Sequence, residues 1–446
     1  MEIPTNIRNQ SNPIPTYPVS GTRDFFPQDY KIREWLFEKW KSVSKSFGFK
    51  GYDAPILEHS SLYTRKGGDD ILKEMYSFRD QGGVEVCLRP EMTPSVVRMI
   101  STIFRKETLP IKWFSIPQCW RYENTSKGRK REHYQWNVDV FGGEVVRTDA
   151  EILAVVCSFF KSVGLTENDV KIKISHRMLI STLLKKFDIS DESIIVKIFN
   201  IIDKIKKVDI EEIKRCLFFE CNLSDDKIEL LLQFTKIKDC NELLNFSVKF
   251  GSIEFTKVVN ELLSILYYTR FYEVRDYIEF DASIVRGLSY YTGMVFEAFS
   301  TTTTIPRSIC GGGRYDNLFS TYGFKEKITS VGFGLGDVVI IEILKEKNLL
   351  PDFSSDNYDY MVLCFDDKNY DKVIELSQTL RKNGYSVISY MKQSKNLTKT
   401  LSYANKMKVK YCVIIMPEEI ERGHIILKNM KDGSQNEIAV EKLNFL

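Results

Sequence analysis

The sequence predicts an α+β fold with an all-helical insertion and a separate C-terminal α/β domain. Strand-like segments bounded by glycine turns fill residues 48–165 and return at 278–299. Between them, residues 175–268 form a lysine-rich, nearly glycine-free block with helical periodicity. After a break at Leu349-Leu350-Pro351, strand and helix patterns alternate over about 95 residues, the usual size of an independent domain.

The composition is typical of a soluble protein with several domains. The chain has 446 residues, and its hydrophobic content of 43% is enough for two or three domains with full cores. No apolar run approaches the length needed to cross a bilayer. The formal net charge is only +3, but residues 381–410 hold eight Lys or Arg and no Asp or Glu. This clustering indicates a polyanionic partner.

Cysteines and the N-terminal extension give weaker signals. The nine cysteines are scattered, and Cys216-x4-Cys221 with Cys240 has no fourth metal ligand nearby in sequence. Reduced thiols of a cytosolic protein are therefore favoured over a zinc site. The extension, residues 1–20, has no apolar core and matches no secretory signal. Its shortage of acids leaves an organellar form as the alternative to a cytoplasmic one.

The first predicted helix runs from Gln28 to Phe47. Its apolar residues recur at three- and four-residue spacing and are Ile32, Leu36, Trp40 and Val43. Gly48 ends the helix. Pro55 then marks residues 51–57 as an extended segment, because proline biases its neighbour away from helix.

Later elements follow from the same patterns. One helical face of the insertion carries Ile194, Ile195, Ile198, Ile202 and Ile205. Asp209 and Glu212 predict a capping box for the next helix. Strands are predicted at Val84–Leu88, Trp113–Ile116, Ile278–Ile284, Met294–Phe299, Tyr360–Phe365, Val387–Tyr390 and Tyr411–Met416.

Two stretches carry most of the chemical information. Residues 121–131 place five cations and one carboxylate in eleven positions. Residues 286–293 combine Arg286 with Tyr290, Tyr291 and two glycines. A solvated basic hairpin is a simpler explanation of the first stretch, and a tyrosine-rich core strand explains Tyr290 alone. Neither explains the arginine and the glycines of the second stretch together.

A third stretch, residues 88–94, contains an acid and a hydroxyl two positions apart. Glu91 and Thr93 lie on the same side if the chain is extended, so both can face one pocket. Taken alone, the stretch is better explained as a turn in which Thr93 caps a helix.

Together and in this order, these stretches resemble histidyl-tRNA synthetases, a family of class II synthetases. Residues 121–139 resemble motif 2, and residues 286–293 resemble the histidine-specific motif. The helix at 28–47 with its proline-bearing strand is similar to motif 1, the dimer element. The resemblance begins at Gly21 and covers nearly the whole chain.

The resemblance implies a class II synthetase fold. Its catalytic domain has two parts, 21–174 and 269–348, on an antiparallel sheet flanked by helices and interrupted by the insertion. Residues 352–446 would form an anticodon-binding domain with a mixed sheet. The acid-free basic stretch within that domain fits the assignment, since neutralising tRNA phosphates needs Lys and Arg without competing carboxylates.

The resemblance also implies a histidine-binding site. The side chains that would hold the substrate amino group are Glu91, Thr93 and Gln135. Asp139 would face the imidazole, and Tyr291, beside Tyr290, would pair with the same ring. Substrates without the ring nitrogens would leave these buried polar groups unpaired, which excludes them by up to about 10⁴-fold or more.

ATP and tRNA contacts are implied in the same way. Arg121 would bridge the substrate carboxylate and the α-phosphate, with Arg286 as a second cation and Gln135 completing the catalytic set. Glu123 would lie near the adenine edge, and Gly334 would let the backbone approach the nucleotide. Contacts to the tRNA acceptor end would come from Lys127, Arg129, Lys130 and Arg131.

The sequence departs from the family pattern at two places. Where motif 3 usually supplies an arginine for ATP, the chain has Asp337-Val338-Val339. Arg307 is the first candidate for a substitute, and Arg314 is the second. Where a phenylalanine usually stacks on adenine, the chain has His133, so His133 or Tyr134 would supply the flat ring.

The activity implied is ligation of histidine to tRNA(His), with ATP as a substrate and Mg²⁺ bridging its phosphates. No metal site made of protein ligands alone is expected. The expected partners are tRNA(His), L-histidine, ATP and a second copy of the chain, with no membrane and no DNA. The alternatives are a catalytically inactive paralogue that acts as a histidine-sensing regulatory subunit, and a plain RNA-binding protein.

Overall fold

The computed structural model describes residues 15–64, 69–206, 208–286, 290–305, 307–325, 327–353, 358–392 and 396–445. Most of the N-terminal extension and residues 287–289 of the histidine-specific motif lie outside these ranges. The chain divides into two compact units, Met1–Leu350 and Pro351–Leu446. Within the described ranges, no helix has the length and apolarity needed to span a membrane.

The first unit contains the helical insertion and the larger sheet. Its described helices are α1 Pro27–Ser46, α2 Ser61–Thr64, α3 Asp69–Glu74, α4 Thr93–Ile103, α5 Val145–Ser162, α6 Arg177–Lys186, α7 Glu192–Ile202, α8 Ile210–Cys221, α9 Asp225–Thr235, α10 Cys240–Phe250, α11 Ile253–Phe271, α12 Leu318–Thr321 and α13 Asp337–Glu346. Its described strands are β1 Lys50–Gly51, β2 Leu57–His59, β3 Ser77–Arg79, β4 Glu85–Leu88, β5 Ile111–Ser115, β6 Gln118–Trp120, β7 Glu132–Phe141, β8 Val170–His176, β9 Ile278–Phe280, β10 Met294–Ser300, β11 Ser308–Arg314 and β12 Ser330–Gly336.

The second unit alternates strands and helices, as its sequence pattern predicted. Its described strands are β13 Tyr360–Cys364, β14 Val387–Ser389, β15 Tyr411–Ile415, β16 His424–Asn429 and β17 Gln435–Ala439. Its described α-helices are α14 Tyr370–Lys382, α15 Leu397–Lys406 and α16 Pro417–Glu421. The sheet order is β14-β13-β15-β16-β17. Pairs around β13 are parallel and the remaining two pairs are antiparallel, so the sheet is mixed.

The large sheet of the first unit is mainly antiparallel. Its order is β1-β5-β7-β12-β11-β10-β8-β9, with β6 paired to β7. Only the outer pairs β1–β5 and β8–β9 are parallel among its described strands. A separate three-stranded sheet has the order β2-β4-β3. The α+β class predicted from the sequence is therefore confirmed.

Two tryptophans hold helices α1 and α5 against the large sheet. Trp40 of α1 stacks on Trp136 of β7 with 6.1 Å between ring centroids, and Phe159 of α5 packs against both. Trp136 Nε1 donates a hydrogen bond to Ser44 Oγ at 2.9 Å, so its buried polar group is satisfied. The periodic apolar face that predicted α1 is the face that covers the sheet.

Helices α6 to α11 occupy residues 177–271 and build the insertion. The buried side chains of α7 are Ile198, Phe199, Ile201 and Ile202. Asp209 caps α8 by accepting a hydrogen bond from the Glu211 N–H at 2.8 Å. Glu212 binds Arg215 at 2.9 Å instead of returning to the cap, so only half of the predicted capping box forms.

The strand predicted at Ile278–Ile284 ends early, at Phe280. Asp281 turns the chain there by accepting a hydrogen bond from the Ser283 N–H at 3.0 Å. The same carboxylate binds Lys206 at 2.8 Å and also pairs with Lys238, and both lysines come from the insertion. Burial would raise the pKa of Asp281, but the two lysines and Ser283 lower it to about 2. This ion cluster ties the insertion to the sheet.

We expect Asp281→Asn to destabilise the first unit by about 1–2 kcal/mol at pH 7. A carboxyl whose pKa is about 2 in the folded protein, against an ordinary value of 3.8, stabilises the fold above about pH 4. That contribution is lost as the pH falls towards 2. Thermal unfolding of the full chain at pH 7 and pH 3 measures the difference. The exposed neighbour Asp276 provides the control, and an equal effect of Asp276→Asn would contradict the prediction.

Candidate active site

Strand β7 places three candidate side chains on one face of the sheet. Side chains alternate along a strand, so residues 133, 135 and 139 point the same way. Each lies against a glycine of β12. The atoms nearest to the absent Cβ positions are Asp139 Oδ1 over Gly332 at 2.3 Å, Gln135 Nε2 over Gly334 at 2.5 Å and His133 Cδ2 over Gly336 at 3.7 Å. The glycines leave this face open for the polar side chains of β7.

Tyr134 lies on the opposite face of β7. Its ring packs against Phe25 and Phe37, with 6.1 and 5.1 Å between ring centroids. Its N–H donates a hydrogen bond to Asp337 Oδ1 at 3.0 Å. This placement corrects the sequence expectation for the adenine-facing ring, because only His133 shares a face with Gln135 and Asp139.

Strand β11 provides a second open face. A Cβ at Gly311 would lie 2.3 Å from Nη1 of Arg286, and a Cβ at Gly313 would lie 2.9 Å from the ring of Tyr291. Arg286 also pairs with Glu297 of β10. The backbone of Arg286 has a φ of +58°, a conformation that residues other than glycine seldom adopt. The structure therefore places Arg286 and Tyr291 over the glycines of β11, next to the strand whose glycines lie under Asp139 and Gln135.

Asp139 is the most unusual carboxylate of the group. It is 2% exposed, and the Tyr315 hydroxyl donates a hydrogen bond to its Oδ1. Its Oδ2 is buried and has no hydrogen-bond partner among the described residues. Burial raises the pKa of Asp139 to about 7, with a smaller increase from Glu91 and an opposing effect of Tyr315. A buried oxygen without a hydrogen-bond partner is costly, so we expect a bound ligand to donate a hydrogen bond to Asp139 Oδ2.

Tyr315 was not predicted from the sequence. Its only signal was its position two residues after the run of Gly311, Gly312 and Gly313, and nothing in that pattern indicates a partner for Asp139. Its hydroxyl occupies one oxygen of Asp139 and leaves the other available. Tyr315 therefore orients the carboxylate.

Glu91 is joined to the same pocket by a tyrosine. The Tyr290 hydroxyl donates a hydrogen bond to Glu91 Oε2 at 3.1 Å and also contacts Thr93. Burial raises the pKa of Glu91, whereas Arg121, Tyr290 and Arg286 lower it. Thr93 is the first residue of α4 and Met92 is the cap, so Thr93 is not the N-cap. The side chains of Glu91 and Thr93 thus meet at Tyr290.

Arg121 and Glu123 lead from this pocket into the basic loop, residues 124–131. Arg121 Nε donates a hydrogen bond to the Pro90 carbonyl at 2.9 Å, and its Nη1 lies 3.8 Å from Glu123 Oε1. Arg129 reaches back from the loop and pairs with Glu123. One carboxylate therefore faces two guanidinium groups.

The other loop cations have different surroundings. Lys127 is exposed and binds Glu346 at 2.6 Å, an ion pair that solvent weakens. Lys130 is half-buried. Arg131 lies over the Tyr122 ring at 4.0 Å and donates a hydrogen bond to the Ser20 carbonyl at 3.2 Å. Arg131 therefore holds the loop against the start of the chain.

The His133 ring is uncharged at neutral pH. Burial, together with the positive charges of Arg121 and Arg23, lowers the pKa of His133 to about 3. A neutral, flat imidazole is the form that stacks on another aromatic ring.

The two candidate substitutes for the motif 3 arginine differ sharply. Arg314 is 2% exposed and binds Asp149 and Asp316 at 2.6 and 3.0 Å. These buried ion pairs occupy its guanidinium, which corrects its assignment as an ATP ligand. Arg307 is only partly buried, and its Nη2 donates a hydrogen bond to Ser126 Oγ of the basic loop at 3.2 Å. Arg307 remains the candidate.

The position of Asp337, at the start of α13, is also explained. Asp337 Oδ2 accepts a hydrogen bond from Arg23 Nη1 at 2.9 Å, and Arg23 binds Glu132 at 2.7 Å. Burial raises the pKa of Asp337 to about 6, against the lowering effect of Arg23. The acid fastens α13 to β7 and to the N-terminal segment.

The arrangement suits a small molecule that carries charges of both signs. Glu91 can hold a cation, Asp139 can accept a hydrogen bond from a buried donor, and Arg121 with Arg286 can hold anions. Their convergence over one open sheet face allows a carboxylate and a phosphate to be held side by side.

Comparison with known families agrees with this chemistry. The family profile described as histidyl-tRNA synthetase matches residues 21–337, and the profile described as anticodon binding domain matches residues 356–444. A solved histidyl-tRNA synthetase from Nostoc sp. has the same fold, with a TM-score of 0.76 at 24% identity. That match covers 97% of this chain and all of the other.

Curated relatives are similar over almost the full length. Histidine–tRNA ligase, chloroplastic/mitochondrial, from Arabidopsis thaliana is 39% identical over 96% of this chain and 86% of the relative. Histidine–tRNA ligase from Leptospira biflexa is 37% identical over 95% of both chains. The one from Thermoplasma volcanium is 35% identical, covering 95% of this chain and 96% of the relative. The chain belongs to the histidyl-tRNA synthetase family.

Proposed function

We infer that the chain activates histidine with ATP and transfers it to tRNA(His). A carboxylate oxygen of histidine attacks the α-phosphorus of ATP, which forms histidyl-adenylate as pyrophosphate leaves. A hydroxyl of the terminal ribose of tRNA then takes the acyl group, and AMP leaves. The observation that carries this function is the buried Asp139 carboxylate, whose Oδ2 has no described partner, near Glu91, which in turn interacts with Arg121 and Arg286.

Histidine recognition is assigned to two groups of side chains. The amino group binds Glu91, Thr93 and Gln135. The imidazole binds the free oxygen of Asp139 and the hydroxyl of Tyr291, while Tyr290 links the two groups through Glu91. Tyr315 holds Asp139 in one orientation. A substrate ring without a hydrogen-bond donor facing Asp139 Oδ2 therefore leaves that buried oxygen unpaired and is disfavoured.

The chemical step needs positive charge and orientation, not a protein nucleophile. Arg121 and Arg286 hold the α-phosphate and stabilise the charge that develops on it, and Gln135 keeps the substrate amino group in place. His133 stacks on adenine, and Glu123 lies at the adenine edge. Gly334 acts indirectly, because its missing side chain makes room for Gln135.

Magnesium fits as a partner of the ATP phosphates. The described residues contain no group of three acidic, histidine or cysteine side chains that could hold a metal unaided. Glu74 and Glu123 are close enough that the pKa of Glu74 is raised by burial and by Glu123. These carboxylates would supply hard oxygen ligands, and the ion would neutralise phosphate charge.

The basic loop and the second unit are assigned to tRNA(His). Lys127, Arg129 and Lys130 contact phosphates of the acceptor end, and the C-terminal unit binds the anticodon arm. Lys127 can exchange Glu346 for a phosphate at little cost, because the present ion pair is exposed. We propose a cytoplasmic enzyme, with an organellar form as the alternative. The regulatory role considered from the sequence is not proposed, since the catalytic arginines and the acids of the pocket are all present.

The reaction predicts exchange of labelled pyrophosphate into ATP that depends on histidine. The parent protein should show exchange with histidine and with none of the other common amino acids. Arg286→Gln should lower the rate by about 10²–10³-fold, because it removes charge stabilisation from the transition state. The exposed Arg147→Gln is the matched control. Folded parent protein that binds histidine without exchange would contradict the proposed function.

Asp139→Asn is expected to make the ligand-free protein more stable at pH 8 while abolishing histidine activation. The pKa of Asp139 is about 7 in the folded protein, against an ordinary value of 3.8, so the parent protein loses stability as the pH rises from about 4 to about 7. The asparagine carries no charge, so the gain is about 2–4 kcal/mol at pH 8 and disappears near pH 4. Thermal unfolding without ligands at both pH values is the measurement, with the exposed Asp24→Asn as control. Equal stability of Asp139→Asn and parent at pH 8 would argue against a destabilising carboxylate.

A homodimer is proposed from exposed apolar residues around the three-stranded sheet. They are Ile56, Leu57, Phe78 and Val84, each more than 40% exposed. Phe78→Asp should convert a particle of twice the chain mass into a monomer, as measured by light scattering. Phe219→Asp, which changes an exposed ring on α8, should leave the dimer intact. A dimer that survives Phe78→Asp places the interface elsewhere.

A further inference from the structure

Arg307 and Val339 meet at one point beneath the basic loop. Gly128, at the turn of this loop, has a φ of +79° and no side chain. Its absent Cβ would lie 3.4 Å from Cδ of Arg307 and 3.4 Å from Cγ2 of Val339. Arg307 reaches this point from the residue before β11, and Val339 reaches it from α13. The short valine leaves the space in which the arginine lies.

The surroundings of Arg307 are rich in positive charge. Its guanidinium faces Ser126, and no ion pair of Arg307 occurs within the described ranges. Burial lowers its pKa, and the charge of Arg129 lowers it further, while Glu123 raises it. Three arginines, 121, 129 and 307, thus lie around Glu123, and the second carboxylate near Arg121 and Arg129 is Glu74, whose pKa is raised. Such a cluster favours an anion with more than one charge.

The positions of Arg286 and Arg307 indicate the shape of that anion. Arg286 lies over Gly311 of β11, whereas Arg307 precedes β11 and contacts Ser126 of the basic loop, so the two guanidinium groups lie at different places along the site. If Arg286 and Arg121 hold the α-phosphate, Arg307 lies farther out, beside Arg129. A triphosphate, whose charges are spread along a chain, suits this separation better than a single phosphate does.

We propose that Arg307 binds the terminal phosphates of ATP. From the residue before β11, it supplies the positive charge that is missing at Val339 of α13. The inference rests on the proposed adenylation reaction and names a residue for one part of its substrate. In this arrangement the basic loop closes over the phosphates, with Arg129 on one side and Arg307 on the other. The role of Arg307 is substrate binding through direct contact with phosphate oxygens.

The test compares ATP and AMP binding to Arg307→Ala by calorimetry. ATP affinity should fall about tenfold or more, because a charged hydrogen-bond donor is lost. AMP affinity should stay within about twofold, since AMP lacks the phosphates concerned. The double variant Arg307→Ala/Val339→Arg should recover at least part of the ATP affinity, because a side chain at 339 faces the same point under Gly128. Thermal unfolding verifies that each variant is folded.

Three results would overturn the proposal. ATP affinity of Arg307→Ala could stay within twofold of the parent, or ATP and AMP affinities could fall equally. The third is that Ser126→Ala reproduces the ATP defect, which would make Arg307 a residue that only positions the loop. Histidine-dependent exchange by the parent protein is measured first. Its absence would refute the proposed function, whereas an active parent with an unaffected Arg307→Ala would refute this inference alone.

Discussion

The side-chain-free faces of β11 and β12 are the constraint on which the site depends. A sheet ordinarily covers each face with its own side chains, so a neighbouring strand cannot lay long polar groups across it. Here a Cβ at Gly311, Gly332 or Gly334 would come within 2.3–2.5 Å of a site residue. The glycines therefore fix where Arg286, Asp139 and Gln135 lie. They also allow polar and charged side chains to lie across the central strands of the sheet.

Two aspartates show how differently the fold treats the same side chain. Asp139 and Asp281 are both 2% exposed, yet the pKa of the first is raised to about 7 and that of the second is lowered to about 2. Lysines from the insertion neutralise Asp281, which has a structural task. Asp139 receives only the hydroxyl of Tyr315 and keeps one oxygen unpaired. The structure thus neutralises one buried acid itself and leaves the other to a ligand.

The sequence was sufficient for the fold class and for most of the residues that converge. Periodic patterns identified α1, the helical insertion and the alternating C-terminal unit, because those patterns depend on local spacing. Errors arose where the answer depended on which face of a strand a residue occupies. Tyr134 was assigned beside His133, although neighbours in a strand point to opposite faces. Arg314 was treated as free because the sequence does not show that Asp149 lies next to it. Gly334 was assigned to the nucleotide, whereas it makes room for Gln135, a relation between strands that are distant in sequence.

The alternation along β7 has a consequence for how the chain can vary in length. One face of this strand carries Trp136 towards α1, and the other carries Gln135 and Asp139 towards the pocket. Removal of one residue inside the strand would exchange the two faces together, which would turn an indole into the pocket and a carboxylate into the core. Insertions and deletions are therefore confined to connections such as the loop 124–131. Within β7 itself, divergence among relatives has to proceed by substitution at constant length.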